Sequence, residues 1–182
     1  PTTRSIADVA SNGELFVAVT SDGQALVSAE GAVWTPYPTP AAELLAVAAA
    51  EHGFVATSAD GEILSSPDGQ RWEVEHTADT IQYLGVASCG GVRVAVGTFG
   101  WAATSVDGGE WTRRQLTHNW LLRVVACSGR RFIAAGPGNA RFSDDGLAWS
   151  VAALPTPDDS MRAAVWTGDR FEAISWSGGD TR

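Results

Sequence analysis

The chain has 182 residues, enough for one domain with a sizeable core, and 45% hydrophobic against 18% charged residues excludes a disordered chain. A formal charge of -9, with all 12 basic residues arginine, argues against a nucleic-acid partner, which rewards clustered cations. No run of 18 apolar residues occurs, so no membrane span is expected, and the Ala42–Ala50 stretch is too short and alanine-rich for a signal-peptide core.

The first predicted strand ends at Val9-Ala10, and the turn Ser11-Asn12-Gly13 hands the chain to a second, Phe16-Val17-Ala18-Val19. Asp22-Gly23 turns it into a third strand ending at Ser28. Ser28-Ala29-Glu30-Gly31-Ala32-Val33-Trp34 then leads into a fourth strand that carries the tryptophan. The succession recurs. First strands end at Val47-Ala48, Val86-Ala87 and Val125-Ala126, and second strands begin at Phe54 and Phe132, with Arg93 in the place of that phenylalanine in the third unit. The closing formula returns as Ser66-Pro67-Asp68-Gly69-Gln70-Arg71-Trp72, Ser105-Val106-Asp107-Gly108-Gly109-Glu110-Trp111 and Ser143-Asp144-Asp145-Gly146-Leu147-Ala148-Trp149. Its tryptophans stand at 34, 72, 111 and 149, and a period of this size marks a repeat architecture. The units run approximately 4–41, 42–80, 81–118 and 119–157, with a partial one over 158–182 that has two first strands, a Gly168-Asp169 turn and no motif.

An Asp-Gly pair between strands is a hairpin signal, with glycine supplying positive φ. The aspartate and serine side chains can bond the backbone of the turn, and a tryptophan in every unit offers a large apolar surface to bury. A four-stranded meander cannot hide both faces by itself. The sheets must therefore stack around an axis, which makes the fold an all-β propeller of about five blades with an incomplete last one. A closed five-bladed ring is favoured over an arc of a larger ring on length, and a single domain covers 1–182. The two cysteines, Cys89 and Cys127, are too few for a disulfide framework and are expected as small buried thiols, with a bridge between neighbouring inner strands as the alternative.

The formula Ser-x-Asp-Gly-x-x-Trp resembles the Asp-box of bacterial neuraminidase-type repeats, shortened by one residue between Asp and Gly. Such repeats are also found in photosystem assembly propellers and in bacterial and phage surface proteins. The resemblance spans Val9 to Trp176 and implies a propeller in which the motif is structural and peripheral, so the four motif tryptophans are expected in the core. It implies an extracellular or virion-associated place, such as a phage tail.

Residues that break the repeat are the candidates for function. Trp101, Trp120 and Trp176 fall in or beside loops on one face of such a ring, with Tyr37, His76, His118 and Asn119 on the same side, whereas Trp166 falls on the other side. Arg123 and Arg162 occupy one repeat position where other units have Ala7, Leu45 and Leu84, so two guanidiniums could converge on a carboxylate or phosphate at the channel mouth, or pair with Asp79, Asp158 or Asp159. The expected ligand surface is Trp101, Trp120, Trp176, His118, Arg123 and Arg162, recognising a glycan or a protein partner. A further contact is possible through the open edge of the last blade. The alternative is a sialidase-like glycosidase or lyase, which would need three convergent arginines and a tyrosine nucleophile. No catalytic constellation has usable spacing, and neither a cofactor nor a metal is expected.

Overall fold

The computed structural model describes residues 5–78, 80–118, 120–153 and 160–176, with Ser160, Ser175 and Trp176 described by their backbone alone. Eighteen strands and one 3-10 turn (Thr98–Gly100) make up the described regular structure. The first blade is the antiparallel meander β1 (Ile6–Ser11), β2 (Phe16–Thr20), β3 (Gln24–Ser28) and β4 (Thr35–Pro38). The second comprises β5 (Leu44–Ala50), β6 (Gly53–Ser58), β7 (Glu62–Ser66) and β8 (Glu73–Thr77). The third comprises β9 (Tyr83–Cys89), β10 (Val92–Gly97), β11 (Trp101–Val106) and β12 (Thr112–Gln115). The fourth comprises β13 (Val124–Cys127), β14 (Phe132–Gly136), β15 (Asn139–Ser143) and β16 (Ser150–Ala152). Among the described residues the fifth has two strands, β17 (Ser160–Trp166) and β18 (Phe171–Trp176). The meander and the incomplete last blade are as the repeats require. Each motif tryptophan stands one residue before its fourth strand, however, and not within it.

Alternation along each strand divides the apolar residues between two flanks, and facing flanks of consecutive blades pack on one another. Between blades one and two, Val17, Val19 and Val27 of the first meet Leu44, Val47, Phe54 and Trp72 of the second. Equivalent layers join blades two and three and blades three and four. Innermost strands pack in series from β1 through β5, β9 and β13 to β17, and the series makes no extensive return from β17 to β1. The described chain is thus an arc, in place of the closed ring expected from length.

The motif works through its own backbone. Asp68 Oδ1 accepts hydrogen bonds from the Gln70 and Arg71 amides at 2.9 Å, and Asp145 Oδ1 accepts those of Leu147 and Ala148 at 2.8 Å. Indole Nε1–H groups of Trp34, Trp72 and Trp149 each donate to the carbonyl of the motif glycine three residues earlier. Trp72 is buried, but Trp34, Trp111 and Trp149 are half-buried, which corrects the expectation of four core tryptophans. The reason for Trp34 is positional, since its flank of the first blade faces no preceding sheet.

The third copy is different. Arg93, where other blades have phenylalanine, is buried, pairs with Glu75 of the second blade at 2.9 Å and donates to Ser105 Oγ. Its guanidinium lies 5.3 Å from the centre of the Trp111 ring, and the indole N–H of Trp111 donates to Glu75 instead of to its own turn. Asp107 and Gly108 both have positive φ, 49° and 71°, and Gly109 N–H bonds the Val106 carbonyl. That is a type I′ turn over Val106–Gly109 within the longer connection from β11 to β12, and the carboxylate is not needed as a cap.

Cys89 and Cys127 close a disulfide between β9 and β13, with Cα atoms 6.4 Å apart. The expectation of two thiols is corrected because adjacent inner strands end side by side at one level.

Candidate functional site: the loop face

The first three loops between blades are each fastened to the turn between second and third strands of the blade they leave. Thr39 N–H bonds the Gly23 carbonyl, Ala78 N–H that of Gly61 and Leu116 N–H that of Gly100. These turns and loops therefore share one face, as the meander requires, and the first turns and motifs share the other. Between blades three and four the fastening is close as well. A side chain at Gly100 would collide with the Thr117 carbonyl, and Leu122 N–H donates to the Gly97 carbonyl at 3.0 Å. The loop carrying Trp120 is thus held at both ends against the Thr98–Gly100 turn.

At the tip of that turn is Phe99, with φ +55° and 55% of its surface exposed. The first two blades have aspartate here, in Asp22-Gly23 and Asp60-Gly61. A bulky residue in the left-handed region costs about 1 kcal/mol or more. Exposing a phenylalanine there adds an apolar surface with no packing to compensate it. Trp120, 46% exposed, stands on the neighbouring loop. Sequence reading passed over Phe99 because it counted only as a turn residue. Its signal is a backbone angle that Asp22 and Asp60, at the same place in blades one and two, do not share.

The two arginines belong to a second pattern. In the inner strands the pairing register slips between Ile6 and Asp8, between Leu44 and Ala46, and between Met161 and Ala163. Val96 and Gly97 face Gly85 and Tyr83, so Leu84 is passed over in the same way. The extra residues are Ala7, Leu45, Leu84 and Arg162, and Arg123 is their counterpart just before β13. A bulge takes its extra residue out of the alternation and re-aims it, here away from both blade flanks. The innermost strands consequently carry a row of bulge side chains at one level, apolar on the first three blades and cationic on the last two. Arg123 and Arg162 are exposed, and neither forms an ion pair with a described residue.

The other candidates divide. His118 is exposed beside this loop. Trp101 is half-buried against the layer between blades two and three and contributes framework as well as surface. The backbone of Trp176 ends β18, but its side chain lies outside the described residues, as do Asn119, Asp79, Asp158 and Asp159. Tyr37 packs half-buried on the first core layer, and His76 lies with its ring centre 6.2 Å from that of Tyr83. Burial pushes the Tyr83 hydroxyl up to about 12, the opposite of an activated nucleophile, with Arg113 opposing the rise. Among the described residues no group of three His, Cys, Asp or Glu side chains could hold a metal ion. Nor is any helix among them long and apolar enough to cross a membrane. Trp166 stacks edge-on to Phe171 at 5.0 Å on the opposite face, where it helps line a groove of about 740 Å³ with Arg130, Arg131 and Asp144.

No protein-family model matches the chain, and no curated protein matches it in sequence. Solved structures do. The nidogen/laminin complex superposes with a TM-score of 0.74 at 14% identity, over 95% of this chain and 73% of that one. YCF48 bound to D1 peptide gives 0.70 at 17% identity, over 98% and 64%. The WD40 β-propeller domain of Doa1 gives 0.69 at 15% identity, over 96% and 63%. The fold is a β-propeller. The chain spans less than two thirds of the YCF48 and Doa1 chains, in keeping with an arc.

Proposed function

We propose that this chain is a non-catalytic propeller module that takes a protein segment on its loop face, at blades three and four. Phe99 and Trp120 are the apolar anchors, and Arg123 and Arg162 select an acidic group in the same segment. The observation that carries this reading is Phe99, an exposed aromatic residue at φ +55° where blades one and two have aspartate and blade four has Pro137. Framework cannot account for it, since the turn forms in blades one and two without an aromatic residue. The mixed row of bulge residues adds an apolar and a cationic side to the same face, which suits a peptide better than a neutral sugar. Two structural neighbours were solved with protein partners, one in a nidogen/laminin complex and one with a D1 peptide. With the Asp-box resemblance, the reading extends to a surface or virion component.

The test is selection of peptides from a random display library on the wild-type protein, followed by affinity measurement on variants. Trp120→Ala and Phe99→Asp should each weaken a selected peptide about tenfold or more, as loss of an aromatic anchor does. Phe99→Asp should leave the melting temperature unchanged or raise it, because aspartate suits the turn. Arg123→Ala with Arg162→Ala should remove a preference for acidic peptides. Peptides whose binding ignores all four positions, or a Trp120→Ala variant that unfolds, would place binding elsewhere.

A further inference from the structure

The layer between blades two and three is polar at its loop-face end, where the same end of its neighbours is apolar. Val19 and Leu44 hold that place between blades one and two, and Val96 and Leu122 between blades three and four, all fully buried. Their counterparts between blades two and three are Thr57 and Tyr83, equally buried and each bearing a hydroxyl. Thr57 pairs with Ala46 and Ile63, both residues of this layer, so its side chain points into it. Ile63 pairs in turn with His76, whose ring centre is 6.2 Å from that of Tyr83. Thr57 Oγ1, Tyr83 Oη and His76 Nε2 are all shut off from solvent, and none has a hydrogen-bond partner among the described residues.

A cation stands at the rim of this group. Arg113 pairs with Ala103, another residue of the layer, so its side chain leaves blade three towards blade two. Blades two and four have Val74 and Val151 at this position. The guanidinium is exposed and forms no ion pair with a described residue. Burial lowers the pKa of His76, and the Arg113 charge lowers it further. Trp101, half-buried on the same layer, adds an apolar wall. Two hydroxyls, an imidazole and a guanidinium are thus gathered in one place, and no described carboxylate is bonded to any of them. Unmatched buried polar atoms cost stability, and the neighbouring layers meet the same packing need with valine and leucine.

We propose that this end of the layer binds an oxyanion, a carboxylate or phosphate group, which enters past Arg113 and accepts hydrogen bonds from His76, Tyr83 and Thr57. Arg113 supplies the attraction, and a charge-assisted bond is stronger than a neutral one. The apolar walls of Ile63 and Trp101 exclude water and strengthen each bond further. Burial raises the Tyr83 pKa, so its hydroxyl stays protonated at neutral pH and can donate. None of the four groups belongs to the surface of Phe99 and Trp120, so the inference is independent of the peptide reading.

Inorganic phosphate and acetate, titrated separately into the full chain at constant ionic strength with chloride as the reference, test it. The readouts are the imidazole NMR signals of His76 and the melting temperature. At least one of the two anions should shift the His76 signals saturably and raise the melting temperature beyond the chloride value, and the one that does so names the class. Arg113→Ala, at an exposed position, should weaken that binding about tenfold or more. Tyr83→Phe and Thr57→Val should each melt about 2 °C or more above wild type without anion, because each deletes an unmatched buried hydroxyl, and both should blunt the response to it. Should either of these misfold, the His76 signals and Arg113→Ala still decide. His76 signals that ignore both anions overturn the proposal. A Tyr83→Phe variant that melts below wild type and keeps the full anion response overturns it as well, since the hydroxyl then serves the framework through water.

Discussion

Blades two and three have one seven-residue formula and hold it in two ways. In blade two the turn is self-contained: Asp68 caps its amides, the Trp72 indole bonds the Gly69 carbonyl, and Phe54 lies in the layer beneath. In blade three the turn depends on its neighbour, because Arg93 replaces the phenylalanine and Glu75 reaches across from blade two to bond both Arg93 and Trp111. Burying a guanidinium is costly unless it is paired, and that requirement draws the tryptophan's N–H away from its own loop. The formula therefore fixes the spacing and the positive φ of its glycine, but a single residue two strands away decides which atoms hold the tryptophan.

The sharpest way to break this comparison is to add one methyl group to each motif glycine. Gly69 and Gly108 have nearly equal φ, +73° and +71°. A Cβ on Gly69 would stand 2.7 Å from Val17 Cγ2 of the preceding blade, whereas on Gly108 the nearest atom is Arg93 Nη2 at 3.8 Å. Left-handed strain costs about 1 kcal/mol in both, and overpacking adds about 2 kcal/mol at Gly69 alone. Gly69→Ala should accordingly lose about 3 kcal/mol and Gly108→Ala about 1, measured by urea unfolding. Equal losses would mean that the motif does not press on the neighbouring blade.

Glu75→Ala comes next. It leaves Arg93 without its carboxylate and Trp111 without its acceptor, and breaking a buried pair costs about 3 kcal/mol or more. With 27% of the Glu75 side chain exposed, water screens part of this, so a loss of about 2 kcal/mol is expected. Burial alone would raise the Glu75 pKa, yet bonds from Ser65, Trp111 and Arg93 outweigh it and hold the carboxyl low. Glu73→Ala on the same strand is the control and should change stability by less than about 0.5 kcal/mol.

How far the chain could be read in advance follows from the range of each interaction. Strands, turns and the Asp68 and Asp145 caps depend on residues within three or four positions of one another, and all of these were legible. Arg93 was visible as an exception, but its partner Glu75 is 18 positions away on another blade, beyond any local rule. The Cys89–Cys127 bridge and the half-burial of Trp34 likewise depend on which sheets lie side by side. At the candidate site, Trp120, His118 and the arginines stood out by breaking the repeat. Phe99 did not, because its signal is a backbone angle. The bulges that set Arg123 and Arg162 apart leave no compositional trace either, since Ala7, Leu45 and Leu84 occupy the same position.

The smallest effect separates the two turns by pH. Asp68 has its pKa lowered, first by the bond from the Arg71 amide, against the opposing effect of burial, then by the Gln70 amide and the Arg71 charge. A carboxyl group depressed on folding contributes stability that is present above its unfolded value, near 3.9, and is lost as pH falls through the folded value. At about pH 7 Asp68→Ala should cost about 1 kcal/mol, the scale of a lost turn cap. In acid, as pH falls through that lowered folded value, the wild-type group protonates and keeps only its carbonyl oxygen as an acceptor, so the difference between wild type and variant should narrow. Asp107 is no cap, and its left-handed φ is one that asparagine adopts with equal ease. Asp107→Asn should therefore stay within about 0.5 kcal/mol of wild type at about pH 7. Melting curves of the three proteins at both pH values decide the matter. If the gap for Asp68→Ala is as wide in acid as at neutrality, the turn is held by shape and not by charge, and blades two and three differ less than their hydrogen bonds imply.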